Sequence, residues 1–131
     1  MEERSAAVGV ADIEVLVNVN NKSVSVNPSN VTIHVDQTVK FHLAFTGGVG
    51  STQIRAYVVL LKTDSLEPTE ETSRDGYQDT LFALRDTAGN DTPPTFVAKK
   101  TATVNVPVMA LFPEGANCSI SPTNSVVIID W

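Results

Sequence analysis

A chain of 131 residues with fifteen Asp and Glu against nine Lys and Arg carries a formal charge of −6. That counts against nucleic acid and anionic membrane surfaces as partners, because both are held by clustered cations. The apolar share is 42%, rich in β-branched aliphatics, against 18% charged, which excludes disorder and favours strands. One domain is expected at this length, with a core large enough to need no disulfide or metal. The single cysteine, Cys118, excludes an intrachain disulfide and points to a reducing compartment.

Residues 1–9 read as a loose leader, without the basic start and apolar run of a signal peptide. The domain is expected over 10–131. No run approaches the roughly 18 apolar residues of a membrane span. A soluble cytoplasmic protein is expected, or a secreted or periplasmic one if a leader has been removed.

Ile13, Val15, Val17 and Val19 alternate with polar neighbours and predict a first strand. Val24 and Val26 predict a second, between turns at Asn20–Ser23 and Asn27–Asn30. Val31, Ile33 and Val35 then form an inward set, and after a break at Asp36-Gln37-Thr38 so do Val39, Phe41, Leu43 and Phe45. From Ile54 to Leu61 both faces are apolar, the pattern of a central strand covered on both sides.

Residues 63–79 are polar, and Pro68 could start one helical turn there. Leu81, Phe82 and Leu84 resume the core, residues 88–94 form a loop, and Phe96 and Val97 follow. Val104, Val106 and Val108 predict a strand that Pro107 places at a sheet edge or at a bulge. Pro113 to Asn124 reads as a loop, and Val126–Ile129 as the last strand. Seven to nine short strands at this spacing predict an all-β, immunoglobulin-like two-sheet sandwich.

The segment from Val24 to Phe41 resembles the opening of bacterial immunoglobulin-like modules and cupredoxins, roughly P-x-x-V-T-V-x-x-G-D-T-V-x-F, with Asp36 standing where glycine is usual. A cupredoxin would imply copper, but no histidine lies beyond His42, so a His₂Cys site on Cys118 cannot be assembled. A looser resemblance is to small bacterial sandwich proteins of the DP-EP family and the AidA/PixA inclusion-body type. It rests on Asn27-Pro28 before a strand and on a late turn at Ser121-Pro122 before the final one. These families imply a small standalone sandwich and no chemistry.

Candidate sites are few. If 36–38 is a hairpin turn, His34 and His42 lie diagonally on one sheet face, two ligands short of most zinc sites. Asp75, Asp79, Asp86, Asn90 and Asp91 cluster around glycines in two loops and supply the oxygens a calcium ion would take, without the spacing of an EF-hand. Tyr77 and Trp131 are the aromatic candidates for stacking a carbohydrate. Cys118 has no cationic neighbour to activate it and reads as an inert, half-buried loop thiol. No nucleophile–base pairing is recognisable. The expectation is therefore a non-enzymatic structural or interaction module without a cofactor, binding a protein partner or its own copies through loops or edge strands. The alternative is a calcium-dependent carbohydrate-binding domain.

Overall fold

The computed structural model describes residues 10–47, 53–61, 63–69, 72, 80–85 and 89–131. Among them ten strands form two five-stranded sheets, and no helix is long and apolar enough to cross a membrane. The strands are β1 (Val10–Asn18), β2 (Ser23–Asn27), β3 (Asn30–His34), β4 (Thr38–Thr46), β5 (Arg55–Val59), β6 (Leu66–Pro68), β7 (Leu81–Ala83), β8 (Thr95–Ala98), β9 (Ala102–Glu114) and β10 (Asn117–Asp130). The first sheet runs β2-β1-β4-β8-β6 and the second β3-β10-β9-β5-β7.

This is an immunoglobulin-like sandwich. In its framework β4 and β8 are neighbours in one sheet, as strands B and E are, while β5, β9 and β10 lie together in the other as C, F and G do. Two additions distinguish it. The hairpin β1–β2 extends the first sheet, with β1 parallel to β4, and β3 pairs parallel to the end of β10.

Period-two patterning builds the core. Ile13, Val15 and Val17 of β1 face Val39 and Phe41 of β4 along one inner wall, all of them fully buried. Val106, Val108 and Ala110 of β9, with Val127 and Ile129 of β10, form the opposite wall. Phe41 and Phe96 of the first sheet and Phe82 of the second meet edge to face, with centroids 5.9 and 5.0 Å apart, and so lock the two sheets together.

Three readings of the sequence need correction. Residues 36–38 are a crossing between sheets, not a hairpin turn. Val35 donates its N–H to the Asp130 carbonyl in the second sheet, while Asp36 donates to Ala98 in the first. Backbone hydrogen bonds therefore split β3 from β4. Pro107 is not at an edge: β9 lies in the middle of its sheet, and Pro107 stands opposite Asn124 of β10. The β5 ladder stops at Val58↔Val108, one residue short of it, so the missing N–H is tolerated where only one neighbour remains.

Residues 117–124 are strand, not loop. Gly115 takes φ of 58° in a two-residue turn closed by Glu114↔Asn117, the arrangement of a type II′ hairpin, which overrides the polar, proline-containing composition that follows. The late Ser121-Pro122 is accordingly in mid-strand. Pro68 ends the short strand β6, and just past it the Thr72 N–H donates to the Thr69 carbonyl at 3.1 Å; the rest of the single helical turn expected there lies outside the described residues. Beyond Pro68 the chain stays on β8 through side chains: the Thr72 hydroxyl donates to the Thr95 carbonyl and accepts from the Thr95 N–H. The stretch expected as a central strand is β5, flanked on both sides but one strand in from the edge.

Candidate interaction surface

The described residues among those singled out from the sequence do not converge. Asp75, Tyr77, Asp79 and Asp86 lie outside the described residues. Asn90 and Asp91 are exposed in a loop that folds back on the end of β7, where Arg85 and Asp91 form an isolated bridge and the Arg85 guanidinium donates to the Gly89 carbonyl at 3.2 Å. Among the described residues no three His, Cys, Asp or Glu side chains are grouped as metal ligands would be.

The two histidines fall in different sheets, the consequence of the crossing at 36–38. His34 Nδ1 lies 2.7 Å from Asp130 Oδ1 beside β10, and His42 Nε2 lies 2.8 Å from Asp12 Oδ1 on β1. Each is a partly exposed pair of the kind that contributes little. Cys118 is exposed on β10, not half-buried in a loop. Trp131 is 82% exposed just past the end of that strand.

What the fold does assemble is a contrast between its two outer faces. Alternation places Asp12 and Glu14 of β1, Lys40 and His42 of β4 and Glu67 of β6 on the outside of the first sheet, among serines and threonines. This is an ordinary solvated face.

The outside of the second sheet is different. Register pairs Leu111 with Ile120 and Arg55, and Met109 with Pro122 and Tyr57. Beyond them lie Pro113 opposite Cys118 in one direction, then Pro107 opposite Asn124, Val126 opposite Asn105 and Ile128 opposite Thr103 in the other. Ile120 is 62% exposed, and Pro113 and Pro122 are exposed as well. Among the described strand residues of this face, Arg55 and Asp130 are the charged positions besides His34, and they stand near opposite ends.

With a strand spacing of ~4.8 Å and a rise of ~3.3 Å per residue, this face projects to about 500 Å². That footprint counts half-buried positions and the exposed Thr103, Asn105 and Asn124 together with the exposed apolar residues. Ile120 and Pro122 are its exposed apolar positions toward the Arg55 end, the hydrogen-bonded and exposed Asn105 and Asn124 lie nearer its middle, and its charges stand toward the two ends.

Sequence reasoning misses this surface because the residues of half of it read as loop. Once 113–124 is folded as strand, the alternation Cys118, Ile120, Pro122 becomes a face. The signal available was the Glu114-Gly115-Ala116-Asn117 turn, with Gly at the first central position.

Comparison with known protein families and with curated proteins finds no match. Among solved structures, the chain is similar to a cysteine protease inhibitor from Entamoeba histolytica, at 10% identity and a TM-score of 0.49 over 93% of this chain and 96% of that one. It is also similar to the N-terminal domain of ORF48 of phage TP901-1, at 9% identity and a TM-score of 0.39 over 95% of this chain and 100% of that one.

Proposed function

We propose that this chain is a non-enzymatic binding module that engages a protein partner through the outer face of its second sheet. The observation that carries the reading is that apolar, nearly uncharged face on a chain of net charge −6. Exposed Ile120, Pro113 and Pro122 beside half-buried Leu111 and Met109 cost solubility unless something covers them, so their presence points to an interface. Rigidity supports it further, since the patch sits on paired strands over a packed core, and little order has to be acquired on binding. The reading moves the contact surface away from the Pro107 edge and the loops expected from sequence. Calcium-dependent carbohydrate binding rests mainly on residues outside those described, and no observation favours it.

The experiment is affinity capture with the wild-type chain and with Ile120→Asp as paired baits. A binding module of this kind retains a partner on the wild type and loses it on the variant. The reading fails if no captured protein distinguishes the two.

A further inference from the structure

Resting on that reading, we infer that the occupant of the outer face of the second sheet is a second copy of this chain, packed sheet on sheet about a two-fold axis. Three observations point to the copy over a different protein.

The first is electrostatic. A chain of net charge −6 repels itself, and apposing two first-sheet faces would bring Asp12, Glu14 and Glu67 against their own equivalents. The second sheet's outer face is the surface on which two copies meet with no acid near the centre.

The second is the placement of its two charges. Arg55 lies in the row of Leu111 and Ile120, while Asp130 lies in the row of His34. Along β10, ten residues separate Ile120 from Asp130, about 33 Å of strand. An antiparallel apposition lays the cationic end of each copy over the anionic end of the other, as an isologous contact requires.

The third is extent. The footprint of about 500 Å² per copy gives a pair about 1,000 Å² before side-chain relief is counted, which reaches the threshold for a specific interface. Two twisted sheets with alternating side chains also pack readily face to face near 30°.

The test is sedentation of the purified chain by analytical ultracentrifugation from micromolar to near-millimolar concentration, beside Ile120→Asp and Ser25→Asp. Ile120 is mostly exposed in the single chain, so its replacement leaves the fold intact, which the far-ultraviolet spectrum and melting curve check. Ser25 is exposed on β2, on the outside of the first sheet, and Ser25→Asp adds the same charge there. The expected result is a mass of two chains for the wild type and Ser25→Asp, with dimerisation weakened about 100-fold in Ile120→Asp, as burying like charges would do.

A wild type that stays a single chain at the highest concentration overturns the inference. A dimer that survives Ile120→Asp overturns it equally, by placing the contact elsewhere. If the wild type is monomeric yet captures a partner that Ile120→Asp loses, self-association fails while the binding-module reading stands. If it is monomeric and captures nothing that the variant loses, both fail.

Discussion

At Asp36 the backbone takes φ of 78°, in the left-handed region where glycine is at ease and most side chains are strained. Asp is among the few residues that tolerate it. The position is needed because the chain turns there from the second sheet to the first, with the Asp36 N–H donating to Ala98 at 2.8 Å. Asp36→Gly should leave stability unchanged or raise it slightly. Asp36→Val should lower it by about 1–2 kcal/mol. Urea denaturation of the two variants measures this, and a Val variant as stable as the Gly one would show that the strain does not matter.

Ser125 is the other residue whose polarity has a structural explanation. It is fully buried among inward-facing apolar residues, and its hydroxyl donates to the Val106 carbonyl at 2.6 Å. Ser125→Ala removes one buried neutral hydrogen bond and should cost about 1 kcal/mol. Ser125→Val adds bulk to a packed wall as well, and should cost more by about 1 kcal/mol. If the order is reversed in the denaturation midpoints, the wall has free volume at that point.

At the scale of elements, the β9–β10 hairpin decides most of what is distinctive. Gly115 sits in its turn with φ of 58°, and a Cβ there would meet nothing within 4 Å. The cost of Gly115→Ala is therefore backbone strain alone, about 1–2 kcal/mol, and it should appear as a lower urea midpoint with the denaturant slope unchanged. Gly115→Asn should cost less, since Asn accepts positive φ.

The strands with clean alternation, β1, β2, β3 and β4, were legible because one face of each is buried and period two follows directly, while β8 and the end of β10 were legible as short apolar runs. Leu66 of β6 was not. It stands alone in a polar stretch, and what makes it core is Phe96 and Ala98 of a strand thirty residues away. The candidate surface was illegible for a related reason. Cys118, Ile120 and Pro122 reveal a pattern only once hairpin register sets them against Pro113, Leu111 and Met109.

For the whole molecule, charge and apolar surface act in opposite directions on association. Fifteen acids against nine bases oppose it at low ionic strength, while the second sheet's outer face favours it. Dimerisation through that face should therefore strengthen as sodium chloride is raised toward physiological levels and beyond, since repulsion is screened and apolar burial is not weakened. Sedimentation at several salt concentrations measures it. An affinity that falls with salt would mean that the contact is made by ion pairs and that the apolar face is not what holds the copies together.

Composition and patterning determined by themselves that this protein is a β-sandwich with a Val, Ile and Phe interior, because side chains on a strand alternate whatever the partner. They determined equally that no copper site can be built on Cys118, because the ligands are absent. Tertiary structure alone decided which strands share a sheet, and with that the separation of His34 from His42, the central place of Pro107 and the apolar outer face. Those outcomes depend on where backbone hydrogen bonds find their partners, and residues far apart in the chain supply them.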